Sequence, residues 1–188
     1  MFDGAEGWLS QPRSLADELF SRPDTLKIFI SSKMRGEVLA VERVAAAEAV
    51  ERIPDFASAW YWERDADAGP YCAEGICLGQ AATADGLVLI LAEELTPITR
   101  KEYELAYERG VPTYLLIDQR VMQDDAAQLF VEDRQRNADT TTKGFANVSE
   151  LQTHILEALM RYAVGAVRRA NFVSAQQRAA ARRGERYV

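Results

Sequence analysis

The stretch Leu26-Lys27-Ile28-Phe29-Ile30-Ser31-Ser32-Lys33 is a short apolar run, rich in β-branched and aromatic residues, that breaks into two serines. Such a run predicts a buried strand over Leu26–Ile30. The helical pattern that follows over Gly36–Arg52 predicts a helix after a tight polar turn. Ligands of open parallel sheets bind outside the carboxyl ends of the strands. We therefore expect Ser31 and Ser32 to form one wall of any site.

The rest of the chain alternates between strand and helix patterns. Further strands are predicted over Phe56–Trp62, Leu87–Leu91, Val111–Ile117 and Gly144–Val148. Helices are predicted over Tyr71–Thr83, Pro97–Arg109, Asp124–Arg134 and, behind a Ser149/Gln152 capping box, from Leu151 onward. This order predicts an α/β fold, namely a flavodoxin-like three-layer sandwich with a parallel sheet of about five strands and a long C-terminal helix.

Three regions are expected: an N-terminal arm (1–24), an α/β nucleotide-binding-like domain (25–150), and a C-terminal helix with a basic tail (151–188). The last region has seven arginines and two glutamates, a net charge of +5, so the rest of the chain carries −12. An acidic body repels nucleic acid, which makes nucleic-acid binding unlikely. The tail can pair with nucleic acid, the acidic body or a second copy; we predict a homo-oligomer formed through the C-terminal helix.

Composition narrows the class of protein further. With 48% hydrophobic and 27% charged residues, the 188-residue chain can form a normal core. No apolar run approaches the ~20 residues that a membrane span needs, and the first residues lack the plan of a signal peptide. We expect a cytoplasmic protein without membrane contact. Cys72, Cys77 and the single histidine form no metal-ligand set, so we predict a pair of buried thiols without function, no metal and no cofactor.

Several charged and aromatic residues lie near the predicted carboxyl edge of the sheet. Arg43 shares the apolar stripe of the first helix, and Glu42 lies on the neighbouring stripe. The two are either structural ion-pair or rim residues, or a charge clamp at the site. Trp62 and Glu63 follow the second strand, where Trp62 either joins the core or stacks on a base.

Glu102 is the most informative residue for function. It shares a face of the third helix with Ile98, Leu105 and Ala106, so it is an acid on the buried side of a first turn. One interpretation is a capping box in which Thr99 caps the helix and Glu102 reaches back to its amide. In the other, Glu102 faces a cleft with Ser31 and Ser32, where a carboxylate can attack a glycosidic carbon or stabilise an oxocarbenium-like transition state.

The order of these motifs resembles a bacterial domain of unknown function whose hallmark is an F-I-S-S-T opening. The matching parts, between Leu26 and Asp118, are Phe29-Ile30-Ser31-Ser32, Glu42-Arg43, Trp62-Glu63, Cys77–Asp85, Thr99–Ala106 and Gly110-Val111-Pro112. Lys33 stands where that family has threonine, and the loop before the glutamate is shortened to Ala92–Thr96. The asparagine-and-aspartate loop of the transferases is also missing.

The resemblance implies a function. That family is similar in fold to nucleoside 2-deoxyribosyltransferases and to Toll/interleukin-1 receptor-type (TIR-like) domains, in which a glutamate early in the matching helix carries N-glycosidic chemistry. Glu102 matches that glutamate. By this resemblance, Glu102 is the catalytic candidate. The substrate-binding candidates are Ser31, Ser32, Lys33, Arg43, Trp62, Glu63 and Thr99.

Three hypotheses follow for the function of the chain. The first is an N-glycosidase or ribosyltransferase-like domain directed at NAD or a nucleotide, acting as a defence or signalling effector. NAD or the nucleotide would then be a substrate and not a cofactor. The second is a non-catalytic module that senses a nucleotide or binds another protein. The third is a purely structural oligomer.

Overall fold

The computed structural model of the chain contains one sheet of five parallel strands in the order β2-β1-β3-β4-β5. The structure describes residues 25–34, 39–53, 55–66, 68–70, 72–137, 140 and 142–182. The predicted N-terminal arm (1–24) and the last basic residues (183–188) lie outside these ranges.

The strands are β1 (Leu26–Ser32), β2 (Ala57–Trp60), β3 (Gly86–Leu91), β4 (Thr113–Asp118) and β5 (Thr142–Phe145). The helices are α1 (Ala40–Val50), α2 (Trp62–Asp65), α3 (Ala73–Thr83), α4 (Pro97–Glu108), α5 (Asp125–Arg136) and α6 (Val148–Arg182). The predicted fold class is confirmed: an α/β fold with five parallel strands, helices on both faces and a long C-terminal helix.

Two apolar layers enclose the sheet. On one face, α1 and the first turns of α6 pack against side chains such as Ile28, Val88 and Phe145. On the other face, α3, α4 and α5 pack against Phe29, Leu89 and their neighbours. All six residues of β3 are buried, as expected for a central parallel strand covered on both faces. The buried sheet fixes where each strand ends, and therefore where the loops of the carboxyl edge meet.

Several predicted boundaries are wrong. β1 continues through Ser31 and Ser32, which therefore end the strand and do not form the predicted turn, and β4 begins at Thr113 and not at Val111. The second strand ends at Trp60, and Trp62 instead begins the short helix α2 because the Asp65 carboxylate accepts the Tyr61 amide at 2.9 Å and turns the chain. The last strand begins two residues and ends three residues earlier than expected, at Thr142–Phe145.

The cap of α6 also differs from the prediction. Asn147 accepts the Glu150 amide at 2.9 Å, and the Glu150 carboxylate accepts the Ala146 amide at 2.7 Å. This reciprocal pair replaces the predicted Ser149/Gln152 box. Gln152 instead donates to the Ala45 carbonyl at 3.2 Å, which fastens α6 to α1.

Among the described residues, no helix combines the length and the apolar character that crossing a membrane requires. Helix α6 has 35 residues, but its buried side chains, Leu151, Ile155 and Leu159, all belong to its first turns. The later described turns therefore extend beyond the core of the protein.

Candidate functional site

A cleft of about 800 Å³ opens at the carboxyl edge of the sheet. It lies between the end of β1, the loop after β3 and the first turns of α4. Seven of the eight predicted site residues line it: Ser31, Ser32, Lys33, Arg43, Trp62, Thr99 and Glu102. The eighth, Glu63, does not line the cleft but forms an ion pair with Arg43. The structure thus brings together residues that are up to 71 positions apart in the chain.

Glu102 lies on the floor of this cleft with only 4% of its surface exposed. Ser31, at the end of β1, donates a hydrogen bond from its Oγ to the Glu102 carboxylate at 2.5 Å. The Cys77 thiol, on α3, donates a second hydrogen bond to the same carboxylate. The carboxylate is therefore held by groups from two other elements, and the capping-box interpretation of Glu102 is wrong.

Helix α4 is capped by Thr96, not by Thr99 as the capping-box interpretation required. The Thr96 side chain accepts the Thr99 amide at 3.3 Å, and the two hydroxyls lie 2.7 Å apart. Pro97 occupies the first helical position, where its missing N–H costs nothing. This cap sets the start of the helix so that Glu102 falls one turn later, on the face turned toward β1.

Burial changes the acidity of Glu102. It raises the pKa of the carboxyl to about 7, against the lowering effect of the hydrogen bonds from Ser31 and Cys77. At neutral pH both the ionised and the protonated forms are therefore populated. A carboxyl group balanced in this way inside a cleft is typical of functional sites.

Sequence reasoning missed Cys77. The prediction of two buried thiols is wrong for Cys72, which is exposed. Cys77 is buried as predicted, but the structure places its thiol in the cleft wall against Glu102. Burial, together with the Glu102 carboxylate, raises the pKa of the Cys77 thiol to about 12. The thiol therefore stays protonated and acts as a hydrogen-bond donor, not as a nucleophile.

Arg43 ties the turn after β1 to α2. Its guanidinium donates to the Ser32 Oγ at 2.8 Å and to the Lys33 carbonyl at 3.0 Å, and it pairs with the Glu63 carboxylate. The Arg43 side chain is only 3% exposed, so these bonds replace its lost hydration. The described contacts hold Arg43 as a support for the end of β1.

Two ion pairs border the mouth of the cleft. Lys33 Nζ lies 2.5 Å from Glu94, and this hydrogen bond raises the pKa of Lys33. Lys101 Nζ lies 2.8 Å from Glu74. Because these pairs are largely solvent-exposed, a ligand can displace either of them at little cost.

Glu42 pairs with Arg120 and not with its neighbour Arg43. Arg120, after β4, lies 2.5 Å from Glu42 and 2.6 Å from Asp118. Burial raises the pKa of Asp118, but hydrogen bonds from Arg120 outweigh that effect and hold it below its usual value. None of these three residues lines the cleft, which favours a structural role for Glu42.

Within the described ranges, no group of three or more histidine, cysteine, aspartate and glutamate side chains is arranged to hold a metal ion.

No protein-family model matches the sequence, and no curated protein matches it. The fold is similar to that of the CMP N-glycosidase BcmB from Clostridium botulinum, with a TM-score of 0.50 and 11% sequence identity. That superposition covers 69% of this chain and 96% of BcmB. At this identity the similarity shows a shared fold alone.

Two further solved structures are similar at lower scores. A conserved protein from Enterococcus faecalis V583 has a TM-score of 0.49 and 13% identity, covering 71% of this chain and 99% of that one. The metal-soaked Flv1 flavodiiron core from Synechocystis sp. PCC6803 has a TM-score of 0.44 and 11% identity, covering 78% and 38%. Nothing about the function of this chain follows from either.

Proposed function

We propose that this protein is an N-glycosidase or ribosyltransferase-like enzyme that acts on a nucleotide or on NAD, with Glu102 as its catalytic residue. The observation that carries the proposal is the buried Glu102 carboxyl, with its pKa raised to about 7, on the floor of an open cleft and hydrogen-bonded by Ser31. The fold shared with a CMP N-glycosidase is compatible with it. A TIR-like or deoxyribosyltransferase-like role as a defence or signalling effector remains part of the proposal.

The ionised Glu102 carboxylate attacks the anomeric carbon of the ribose. The C–N glycosidic bond breaks, and its electron pair leaves with the base. The base of a nucleoside or nucleotide then takes a proton from solvent, whereas the cationic nicotinamide of NAD leaves as the neutral base without one. Water then attacks the ribosyl–glutamate ester and loses a proton to solvent, which releases ribose, its phosphate or ADP-ribose and restores the carboxylate. In the transferase variant, an acceptor base takes the place of that water.

The remaining cleft residues would bind the substrate. Ser31 orients the carboxylate, while the Ser32 hydroxyl and the Lys33 ammonium can contact ribose hydroxyls or a phosphate at the mouth of the cleft. Trp62 lines the same space, where its ring can stack on the leaving base. Thr99 lines the wall of the cleft beside Glu102. Arg43 and Glu63 would act indirectly, because their ion pair holds the end of β1 in place.

The test is incubation of the protein with NAD, CMP and a panel of nucleosides and nucleotides, followed by chromatography for the free base. We expect release of base that falls at least about a hundredfold in Glu102→Gln, as for loss of a catalytic carboxyl. Glu104→Gln is the matched control, because Glu104 lies on the same helix in a surface ion pair with Arg100. It should keep full activity.

Unchanged substrate in every mixture would overturn the enzymatic proposal. If such a protein still bound a nucleotide in a calorimeter, the chain would be a nucleotide-sensing module. If it bound none, a protein-interaction or structural role would be left.

We further propose that a second copy of this chain covers the outer part of α6. No side chain described beyond Leu159 is buried, and five large apolar side chains are exposed there: Met160, Val164, Val167, Phe172 and Val173. Arginines at 161, 168, 169 and 178 surround them, and the acidic body of a second copy would complement this charge.

A further inference from the structure

A second cavity, of about 380 Å³, lies between the sheet and α6. Its walls come from β4, from Lys143 on β5, and from α6 between His154 and Tyr162. It shares no lining residue with the cleft that contains Glu102. Its volume lies within the range of small-molecule sites, near the lower end.

His154 forms part of the wall of this cavity. Its Nε2 lies 3.1 Å from the Gly144 carbonyl, which can only accept, so Nε2 carries a hydrogen. This bond fixes the position of the ring. Its Nδ1 is enclosed by protein and has no hydrogen-bond partner among the described residues.

The charge of the cavity favours an anion. Lys143 lines it and forms no ion pair with any described residue, while Arg161 is partly neutralised by Glu157 at 3.1 Å. These side chains give the cavity a net positive charge in a chain of formal net charge −7. Because both cations line the cavity, it favours a ligand that carries a carboxylate or phosphate group.

The remaining wall favours a ring. Tyr114 and Tyr162 line the cavity together with Pro112, Leu116 and Ala158, so that most of its surface is apolar or aromatic. Burial, with a contribution from Tyr162, raises the pKa of Tyr114 to about 12, which keeps its hydroxyl protonated and able to donate. Aromatic walls bind flat apolar groups well.

We infer that the cavity between β4 and α6 is a binding site for a small aromatic anion, a single ring that carries one carboxylate or phosphate. Lys143 and Arg161 contact the anionic group, and the tyrosines contact the ring, which lies near His154. This site is independent of the proposed enzymatic function.

His154 is the only histidine of the chain, so its ring protons give isolated signals in a proton NMR spectrum. The full-length protein is titrated with phenyl phosphate in matched buffer. We expect a saturable shift of the His154 signals at millimolar concentrations. Benzyl alcohol, a neutral ring compound, should cause a much weaker shift.

Lys143→Gln should weaken phenyl phosphate binding about tenfold, as for loss of one charge-assisted contact. Arg136→Gln, which removes one positive charge from an exposed ion pair on α5, should leave binding unchanged. Absence of a saturable shift, an equal shift with benzyl alcohol, or equal weakening by both substitutions would overturn the inference. Glu102→Gln should bind the probe as the unaltered protein does, which keeps this test separate from that of the cleft.

Discussion

Glu102, in the cleft, is held by one hydroxyl and one thiol. Burial raises the pKa of its carboxyl, and the hydrogen bonds from these two donors lower it in part. Because the proposed reaction needs the carboxylate, the rate of base release should rise with pH and level off above about 7. A pH profile of kcat/KM checks this, because kcat/KM reports the ionisation of the free enzyme, to which this pKa applies. A rate that falls over the same range would show that the protonated form is the active one.

Ser31→Ala should move that profile toward higher pH. The Ser31 hydroxyl lowers the pKa of Glu102, so its removal raises the pKa further and delays ionisation. Ser32→Ala is the matched control, because the Ser32 hydroxyl bonds to Arg43 and not to Glu102. The midpoint of its profile should not move, whatever happens to its rate. Equal midpoints in both variants would contradict the assigned role of Ser31.

The two cysteines should react very differently with alkylating reagents. Cys72 is exposed, whereas Cys77 is buried and its pKa is raised to about 12, so almost none of it is thiolate at pH 8. We expect iodoacetamide to label Cys72 in the folded protein and both residues in urea, as measured by mass spectrometry. Rapid labelling of Cys77 without urea would show that it does not donate to Glu102.

The sequence was sufficient to predict that Ser31 and Glu102 lie at one edge of the sheet, since strand ends and helical faces determine that. It did not predict the contact of Cys77 with Glu102, because that depends on how α3 packs on α4. The cap at Thr96 could have been found: proline at the first helical position marks the residue before it. The ion pair of Arg43 with Glu63 depends on the position of α2. The sequence did not predict this helix, because the alternating pattern over Phe56–Trp62 indicated a strand up to Trp62.

At the scale of single elements, the start of α6 illustrates a limit of motif reasoning. Asn147/Glu150 and Ser149/Gln152 both match the spacing of a capping box. The choice depends on where β5 ends, and Phe145 fixes that by pairing with Asp118. Local sequence alone cannot decide between two overlapping motifs when the preceding strand is only four residues long.

Asn147→Ala should therefore lower the free energy of unfolding by about 1 kcal/mol, the usual effect of losing an N-cap. Ser149→Ala, at an exposed position two residues later, should change it by less than about 0.5 kcal/mol. Urea denaturation of the two variants gives both values. The opposite order would restore Ser149 as the cap.

The outer part of α6 should associate with a second copy. Covering the exposed apolar side chains of this segment removes them from water, so the segment gains stability when it associates. Phe172→Glu places a charge on its exposed apolar surface and should shift the protein toward the monomer in light scattering. Leu129→Glu, on the exposed side of α5, is the control. A monomeric unaltered protein would contradict the proposed assembly.

At the scale of the whole molecule, the buried Glu102 carboxyl lowers the free energy of unfolding at neutral pH. The pKa of Glu102 is about 7 when folded and 4.5 in an ordinary environment, so ionisation favours the unfolded chain. The contribution of Glu102 to stability is complete below about pH 4.5 and is lost as pH rises through 7. Relative to Glu102→Gln, the protein should lose about 3 kcal/mol of unfolding free energy between those limits.

Chemical denaturation of both proteins at pH 4.5, 6 and 8 measures this difference. The difference in unfolding free energy between the two proteins should change by about 3 kcal/mol from pH 4.5 to pH 8, in favour of the glutamine variant. A constant difference at all three values would mean that Glu102 ionises as a surface carboxylate does.

The strand order also has a consequence for synthesis on the ribosome. β1 lies between β2 and β3, so one of its edges has no neighbour until β3 has been translated, several seconds later at ordinary elongation rates. After that point, each new strand joins the outer edge of the strand before it. A nascent chain stalled within α3 would thus expose an apolar strand edge, and we expect such fragments to aggregate.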